Sequence, residues 1–573
     1  MRNSSRSAGS LVMRRPEGQI VLLLLALALL AAWGWSQPTE DLDIIWTIPG
    51  DTSLYAFGAS LASGDVNGDG IPDVIVASDT LDMEHAPDGH RGIVNIYYGN
   101  HVGEAVPDLV LRSPAWKGSN PPVLACGDLN GDGYADVAMG EDMADDAYGI
   151  CTIWMGGNPM DTIPDYIIHG RRWWLECHFG YGVSTGDVNG DGHDDLVVGA
   201  YYSAQRPGQF GTGRVYLYYG GPGFDTIPDV TLLGGHEGEY EGFGIGVSAE
   251  GDFDHDGFHD LCVGAWCYGS DGRGRMYAYY GGSPMDTSYD MAMSGEGPNQ
   301  ALGWMKPGFL ASQGDFDYGV EGNPFWPNGF FGPDNCGKVY VHEGGRPMDS
   351  IPDVCLVGRK DSAELGMSAQ SAGDASGDGD DDLVAGAPCL PPYYTGATYL
   401  WQTGAHFDTV PDAWLMGADR ETEVGFTVST AGDLDGDGRA EFMVSNYPAG
   451  DYLQKNVWVC KYTGVGLQEE EVLRARSGMA IRAYPSPCHD YVWLSCLPTT
   501  GQNSTLRVCD VTGRVVRTLA LDRGEPTLAS PTAAWDLRDN AGRRVGQGIY
   551  VIELEQHSGN ETRRCSAKVI VEK

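Results

Sequence analysis

The chain has 573 residues, of which 42% are hydrophobic, and a formal net charge of −43. It is too long for one ordinary domain and apolar enough to form a packed core. A protein that binds nucleic acid needs a basic surface, so this charge argues against nucleic acid as a partner. Part of the acidic excess lies in one short motif that recurs along the chain. Carboxylates crowded in this way repel one another unless a cation is bound.

The first 36 residues are predicted to be a secretory signal peptide. Four arginines precede the 13-residue apolar run Ile20–Ala32, and the small residues Gly34 and Ser36 stand before a cleavage site at Gln37. The run is shorter than the roughly 17 residues that a membrane-spanning helix needs. We therefore expect export and no transmembrane span in the mature chain.

From residue 37 to residue 464 the chain is organised by a nine-residue acidic loop. Intact copies begin at Asp65, Asp128, Asp187, Asp252, Asp374 and Asp433, and an altered copy begins at Asp315. Successive copies are 63, 59, 65, 63, 59 and 59 residues apart. A period of this size indicates a repeat architecture.

Each intact loop places oxygen-bearing groups at alternate positions, as a calcium site requires. Calcium takes roughly six to eight oxygen ligands from carboxylates, amides and backbone carbonyls. We expect side chains at positions 1, 3, 5 and 9 and the carbonyl at position 7 to bind it, with glycine at position 6 for the turn. The predicted ligands are Asp65, Asn67, Asp69, Ile71 and Asp73; Asp128, Asn130, Asp132, Tyr134 and Asp136; Asp187, Asn189, Asp191, His193 and Asp195; Asp252, Asp254, Asp256, Phe258 and Asp260; Asp374, Ser376, Asp378, Asp380 and Asp382; and Asp433, Asp435, Asp437, Arg439 and Glu441. The sequence thus predicts about six calcium sites.

Two other kinds of acidic loop fit this pattern less well. An EF-hand needs a bidentate glutamate at position 12. That position is apolar in every intact loop: Val76, Met139, Val198, Val263, Ala385 and Val444. A dockerin-like pair of helices also uses such loops, but here position 9 opens an apolar run typical of a strand, as at 195–200. The nine-residue loop of a β-propeller is therefore favoured.

The altered loop departs from the pattern. Counted from Asp315, Gly319 stands at position 5 and Asn323 at position 9. We expect weak metal binding there, or none, and little effect of a substitution at Asp317.

Each period contains four strand-like segments. In the third period they are 164–170, 179–186, 195–200 and 213–221. Four antiparallel strands repeated in this way are typical of a β-propeller. The prediction is an all-β chain with seven blades, in which the segment 43–50 opens blade one. A solenoid is the rival, but it would need capping repeats, and neither end looks atypical.

These repeats resemble the FG-GAP repeats of integrin alpha-subunit β-propellers. The FG pairs are Phe57-Gly58, Phe179-Gly180 and Phe243-Gly244, and the closest GAP triplet is Gly386-Ala387-Pro388. The resemblance covers about 420 residues. It implies seven blades, calcium loops that brace the blades on one face, and ligand binding at the opposite face.

Strand order also locates the face that would recognise a ligand. In an up-and-down blade, the loops joining strands one to two and three to four leave the sheet opposite the calcium loop. Aromatic side chains on such loops are typical of recognition sites for proteins or carbohydrates. The predicted ligand face comprises Trp173, Trp174, Tyr201, Tyr202, Arg206, Tyr240 and Trp266. The alternative is that these side chains only roof the blades.

The tail is a different unit. Residues 465–477 form a charged linker, and 478–573 are predicted to form a small Ig-like β-sandwich because alternating strands are joined by glycine-centred turns. The tail resembles the C-terminal sorting domains of bacterial type IX secretion cargo, with Ser486 in place of the asparagine of the Tyr-Pro-Asn-Pro signature. The resemblance implies contact with a secretion machinery and a secreted or outer-surface location in a bacterium. An accessory domain without a sorting role is the alternative.

Thirteen cysteines suit an oxidising compartment. Cys126 and Cys151 fall on strands of one predicted blade and are a plausible disulfide pair. Small buried thiols are the alternative.

Together these features predict an exported, calcium-binding propeller that acts in adhesion or recognition and is not a catalyst. A polysaccharide-active enzyme on the same scaffold is one alternative, because the separation of paired carboxylates is invisible in a sequence. A structural component of a surface layer is the other.

Overall fold

The computed structural model describes most of the chain between residues 42 and 571. The described residues are 42–50, 54–80, 92–114, 120–171, 177–204, 211–235, 240–312, 317–329, 335–358, 362–390, 394–404, 407, 409–417, 422–446, 455–464, 480–484, 492–497, 503–510, 514–519, 533–546, 548–558 and 561–571. The predicted signal peptide and the predicted linker at 465–477 lie outside these ranges. Within the ranges, no helix combines the length and the apolar character needed to cross a bilayer.

Seven antiparallel sheets make up the part of the chain between Leu42 and Tyr462. The innermost strand of each sheet contacts the innermost strands of both neighbours, and the seventh sheet contacts the first, so the sheets close into a ring. The predicted seven-bladed β-propeller is confirmed.

Each blade uses four strand positions, numbered here from the centre of the ring outwards. The strands are β1 (Leu42–Pro49) in blade seven; β2 (Leu54–Tyr55), β3 (Leu61–Gly64), β4 (Asp73–Thr80), β5 (Ile93–Tyr97) and β6 (Leu109–Arg112) in blade one; β7 (Val123–Gly127), β8 (Asp136–Glu141), β9 (Ile150–Trp154) and β10 (Tyr166–His169) in blade two; β11 (Phe179–Gly186), β12 (Asp195–Ala200), β13 (Arg214–Tyr218) and β14 (Val230–Leu233) in blade three; β15 (Phe243–Gly251), β16 (Asp260–Ala265), β17 (Arg275–Tyr279) and β18 (Met291–Ser294) in blade four; β19 (Gly308–Leu310), β20 (Tyr318–Asn323), β21 (Lys338–Glu343) and β22 (Val354–Val357) in blade five; β23 (Ser368–Ser371), β24 (Leu383–Ala387), β25 (Ala397–Trp401) and β26 (Ala413–Met416) in blade six; and β27 (Val424–Gly432), β28 (Glu441–Asn446) and β29 (Asn456–Tyr462) in blade seven. Two short helical turns lie at Gly99–His101 and Ala144–Ala147.

The assignment of outer strands to blades differs from the prediction. The strand that opens each sequence period pairs with the preceding blade: β10 pairs with β9 of blade two rather than opening blade three. Likewise β1 pairs with β29, with Leu42 opposite Tyr462, so the segment 43–50 completes blade seven instead of opening blade one. A repeat has the same period wherever it is cut, and only strand pairing decides where a blade begins.

The hydrophobic core is divided into clusters that lie between neighbouring blades. One joins blade two to blade three through Ile153, Phe179 and Val198, and equivalent clusters occupy the other six interfaces, including the one between blades seven and one. All six residues of β12 are buried because other blades cover both faces of the sheet. This burial explains the continuous apolar runs that follow each acidic loop.

The FG and GAP glycines pack against each other across these interfaces. A Cβ added at Gly199 would stand 1.9 Å from the carbonyl oxygen of Gly244, and one at Gly386 would stand 1.8 Å from that of Gly425. Gly244 also has a φ of +88°, which L side chains rarely adopt. The motif therefore marks the close approach of neighbouring blades.

The predicted disulfide between Cys126 and Cys151 is wrong, since both thiols are free. Cys126 lies on β7 opposite Val137, whereas Cys151 lies on β9 opposite Gly140. Strand β8 therefore separates the two cysteines, which are also offset by three residues along it. A disulfide needs Cα atoms about 4.4–6.8 Å apart, which two strands separated by a third do not offer.

The described part of the tail forms two further sheets. One contains β30 (Ala480–Tyr484), β31 (Val492–Leu497) and β34 (Ala533–Trp535); the other contains β32 (Asn503–Asp510), β33 (Val515–Leu519), β35 (Gly548–Ser558) and β36 (Glu561–Val571). Trp535 is buried and its ring meets that of Tyr550 edge-on at 5.2 Å. The strand-rich prediction holds, while the Ig-like sandwich and its sorting role stay predictions.

Candidate functional site

Each intact acidic loop is shaped by its own carboxylates. In the second loop, one oxygen of Asp128 accepts the backbone N–H groups of Gly131 (2.8 Å) and Asp132 (3.1 Å), and the other accepts that of Gly133 (2.9 Å). Asp132 accepts the N–H of Tyr134 at 3.0 Å. The same contacts recur from loop to loop, so positions 1 and 5 curl the chain around one point.

The acid at position 9 is the most buried carboxylate of each loop. Asp136 is fully buried and accepts the N–H groups of Leu129 (2.9 Å) and Gly156 (2.8 Å). Burial raises its pKa to about 7, against the lowering effect of those two hydrogen bonds. The same cause raises the pKa of Asp73 and Asp195 to about 7 and that of Asp260 and Asp382 to about 8. A bound cation would favour the ionised form that burial disfavours.

The donor set fits a hard cation. Two buried oxygens at ligand positions, Asp254 Oδ1 and Ser376 Oγ, have no hydrogen-bond partner among the described residues. In the fourth and seventh loops, one oxygen from each of three carboxylates lies within 4.8 Å of the other two; these clusters are Asp252, Asp254 and Asp260, and Asp433, Asp435 and Glu441. An oxygen-rich set of carboxylates, amides and carbonyls suits calcium better than softer metals.

The loops also connect neighbouring blades. In four of the intact loops the backbone N–H at position 8 donates to the carbonyl at position 1 of the preceding loop. Ala135 donates to Asp65 (3.0 Å), Asp194 to Asp128 (3.1 Å), His259 to Asp187 (2.8 Å) and Ala440 to Asp374 (2.9 Å). Anything that fixes one loop therefore also fixes its neighbour.

In two loops a basic side chain contacts the acids. Arg346 forms ion pairs with Asp254 and with Asp256, the latter at 3.1 Å. Lys461 forms ion pairs with Asp435, with Asp437 at 2.7 Å and with Glu441 at 3.5 Å. These contacts connect residues that the sequence analysis did not link to the loops.

Positions counted from Asp315 in the altered loop do not match the structural positions of the intact loops. Strand β20 begins at Tyr318, and its Gly322 packs against Gly366 as Gly199 packs against Gly244. Asn323 therefore ends the strand rather than occupying position 9. Too few residues separate Asp315 from the strand for a nine-residue loop.

Asp317 has a structural role that the prediction missed. It is 7% exposed and accepts His255 Nε2 at 2.9 Å, the N–H of Ser312 at 2.9 Å and the N–H of Asp252 at 3.2 Å. His255 has a φ of +53° at position 4, where the other intact loops have glycine. These contacts argue against the expectation that a substitution at Asp317 has little effect, because Asp317 joins blade five to the fourth loop.

The predicted ligand face forms a continuous aromatic row on the opposite side of the propeller. Tyr201 and Tyr202 follow the end of β12 that is far from its loop, and Tyr202 contacts Tyr240 with ring centroids 5.3 Å apart. Tyr240 contacts Trp266 at 6.1 Å. The structure brings these four half-buried side chains together, whereas Trp173, Trp174 and Arg206 lie outside the described residues, and ligand binding by this face stays a prediction.

The row includes His178, which strand order also places on this face, and it extends to further residues outside the predicted set. His178 stacks on Tyr201 at 5.0 Å, and Tyr181 meets the same ring at 5.0 Å. Trp304 continues the row from Trp266 at 5.4 Å and reaches Phe325 at 5.2 Å. We call the whole set the aromatic row: His178, Tyr181, Tyr201, Tyr202, Tyr240, Trp266, Trp304 and Phe325. It spans blades three to five.

A cavity of about 270 Å³ on the axis of the ring adjoins the aromatic row. The residue that follows the FG-type glycine in six blades lines it: Ala59, Tyr181, Ile245, Trp304, Met367 and Phe426. The recurrence of apolar residues directly after that glycine is the signal that could have identified Tyr181 and Trp304 from the sequence.

Comparisons with known proteins agree with this architecture. An FG-GAP repeat model matches residues 179–218, and an FG-GAP-like repeat model matches residues 65–139 and 128–198. The chain is 32% identical to integrin alpha-5 of Xenopus laevis over 233 residues, which are 39% of this chain and 21% of that protein. It is 34% identical to integrin alpha-PS2 of Drosophila melanogaster over 166 residues, which are 28% of this chain and 11% of that protein.

An enzyme is among the similar proteins. Phosphatidylinositol-glycan-specific phospholipase D of Mus musculus is 38% identical over 168 residues, which are 27% of this chain and 19% of that protein. The chain spans about a fifth of the length of these curated relatives, or less. The family models match segments of blades one to three, within residues 65–218. The chain therefore carries FG-GAP repeats within a β-propeller and is similar to the integrin alpha subunits.

Proposed function

We propose that this protein is an exported recognition module in which calcium loops stiffen one face of a propeller and a protein or carbohydrate ligand binds the other. The observation that carries the proposal is the aromatic row, which crosses three blades opposite the acidic loops. Half-buried aromatic rings provide a large contact area with little conformational entropy to lose. Sites of this kind are typically held by loops on a rigid scaffold.

Polar groups accompany the aromatic rings on this face. His178 Nδ1 lies 2.9 Å from a carboxylate oxygen of the buried Asp142, which also accepts the side-chain amide of Asn120. The buried Nε1 of Trp266 has no hydrogen-bond partner. An apolar surface with a few oriented polar groups suits a ligand that needs both contact area and orientation.

The proposal includes calcium in the acidic loops, export through the signal-like residues 1–36, and contact with a secretion machinery through residues 478–573. The last two rest on the sequence resemblance of the two ends of the chain. The location that follows is the outside of a bacterial cell or its outer surface.

Binding to the aromatic row is tested with the full chain on glycan arrays and on panels of surface proteins. Once a ligand is found, Tyr240→Ala and Trp266→Ala should each weaken its affinity at least tenfold, about 1.4 kcal/mol. Tyr289→Ala is the matched control, because Tyr289 is 53% exposed and lies in a turn on the opposite face. Wild-type affinity in both row variants would refute the proposed face.

A polysaccharide-active enzyme is the second candidate. One observation favours a catalyst in general, without indicating its substrate: a phosphatidylinositol-glycan-specific phospholipase D is among the similar proteins. Incubating arrayed glycans with the full chain and measuring new reducing ends separates the two functions. Cleavage at a rate above the buffer control would replace recognition with catalysis, whereas binding without cleavage supports the recognition module.

A further inference from the structure

The six intact loops differ in charge at position 3. In four of them this residue is neutral: Asn67, Asn130, Asn189 and Ser376. In the fourth and seventh loops it is an aspartate, Asp254 or Asp435, so these two loops carry four acidic side chains at positions 1, 3, 5 and 9, whereas the other four carry three at those positions. An additional carboxylate in a crowded loop costs free energy unless a further positive charge offsets it.

The additional carboxylate is the group that the basic side chains contact. Arg346 pairs with Asp254 in the fourth loop, and Lys461 pairs with Asp435 in the seventh. Strand register places an uncharged residue at the position of Lys461 in the blades of the other intact loops: Tyr98, Met155, Tyr219, Tyr280 and Gln402. A lysine at this position is thus specific to blade seven and coincides with the aspartate at position 3.

Lys461 reaches further into its loop than Arg346 does. Its ammonium contacts positions 3, 5 and 9, namely Asp435, Asp437 (2.7 Å) and Glu441 (3.5 Å), and its side chain is 17% exposed. Arg346 contacts only positions 3 and 5, and its side chain is 52% exposed. In the seventh loop, three of the four carboxylates that would bind calcium therefore surround an ammonium that belongs to the chain.

We propose that Lys461 takes the place of calcium in the seventh loop, which is braced by this tethered cation and does not retain the ion. A calcium ion would use the same oxygens at about 2.3–2.6 Å and would lie beside a like charge. Because this ammonium is covalently part of the chain, the seventh loop does not need to capture an ion from solution. The inference rests on the part of the proposed function that assigns calcium to the other loops.

The location of Lys461 suggests what is gained when its ammonium takes the place of calcium. Lys461 lies on β29 directly opposite Asp43 of β1, the strand that completes the ring. Blade seven is therefore the one blade built from both ends of the propeller segment. Because the Lys461 ammonium is always present, this blade can close before calcium binds to the other loops.

The test counts calcium ions in the full chain. Wild type, Lys461→Met, Gln402→Lys and Gln402→Met are loaded with calcium and passed through gel filtration, and the retained ions per chain are measured by atomic emission. Lys461→Met should retain one ion more than wild type. Gln402→Lys introduces the lysine at the equivalent position of blade six and should retain one fewer. Gln402→Met is its matched control and should equal wild type.

An unchanged count in Lys461→Met overturns the inference, and so does an unchanged count in Gln402→Lys. If wild type retains ions while Lys461→Met gains none, only the role of Lys461 fails and calcium in the other loops stands. If no variant retains any ion, calcium binding by the loops fails as well. Ligand binding by the aromatic row is measured separately and is not affected by either result.

Discussion

Single residues in the acidic loops have two different tasks. The acids at positions 1 and 5 curl the loop through bonds to its own backbone, as Asp187 does with Asp191 (3.0 Å) and Gly192 (2.8 Å). Asp317, in contrast, joins one blade to another and belongs to no nine-residue loop. Asp187 and Asp317 are both aspartates in similar sequence surroundings, yet only Asp187 is placed to bind a metal.

This difference predicts that the effect of Asp191→Ala on stability depends on calcium, whereas the effect of Asp317→Ala does not. Asp191→Ala should lower the melting temperature in calcium but have little effect in excess chelator, because a ligand that binds only the native state stabilises it by mass action. Asp317→Ala should destabilise by about 1–3 kcal/mol in both conditions, since the partly buried hydrogen bonds from His255, Ser312 and Asp252 lose their acceptor. Thermal unfolding of the full chain with calcium and with chelator measures both.

Two results would contradict these assignments. One is an Asp191→Ala effect that persists in chelator, which would make its role structural. The other is wild-type stability of Asp317→Ala in chelator. Asp317→Asn is the conservative control and should lose less stability than the alanine variant, because the amide oxygen still accepts.

At the scale of the elements, β1 is the strand that closes the ring. Trp46 on this strand is 2% exposed; its ring meets that of Tyr97 edge-on at 6.0 Å, and its Nε1 donates to the carbonyl of Glu104 at 2.8 Å. Both partners belong to blade one, whereas β1 itself pairs with blade seven. One side chain thus connects the last blade to the first.

We therefore expect Trp46→Ala to cost about 3–5 kcal/mol, the range for removing a buried large aromatic side chain. Trp414→Ala is the matched control, because Trp414 lies on the outer strand β26 and is only half-buried. The measurement is chemical denaturation followed by circular dichroism. Equal losses in the two variants would show that Trp46 has no special role in closing the ring.

At the scale of the whole molecule, the buried acids at position 9 couple calcium, pH and stability. Their folded-state pKa values of about 7 to 8 lie above the ordinary value of about 4, because burial disfavours the charged form. Without calcium, folding therefore favours the protonated acids. Their contribution to stability is complete below about pH 4 and is lost as the pH rises through about 7 to 8.

Calcium should reverse this loss, because it binds the ionised form and releases protons. We expect the increase in melting temperature on adding calcium to be small at pH 5.5 and larger at pH 8.5. Thermal unfolding of the full chain at these two values, with calcium or chelator, measures the effect. Calorimetry in two buffers of different ionisation enthalpy measures proton release at pH 7. A calcium effect of the same size at both pH values would contradict the coupling.

The local features of the propeller could be predicted from the sequence because each is encoded by neighbouring residues. The acidic loops, the apolar strands after them and the blade number all follow from a period of about 60 residues. The position of the face opposite the acidic loops follows from strand alternation alone, and Tyr201, Tyr202, Tyr240 and Trp266 meet there. In these respects the sequence by itself determined the architecture.

The tertiary structure decided every feature that depends on which segments become neighbours. Hydrogen-bond pairing places β1 in blade seven, which no cut of a periodic sequence can reveal. Packing between Gly322 and Gly366 sets the register of blade five, which counting from Asp315 missed. Lys461 lies 20 residues beyond Glu441 in sequence and reaches its loop only because β28 and β29 pair. Local chemistry is written along the chain, whereas contacts between strands and blades exist only after folding.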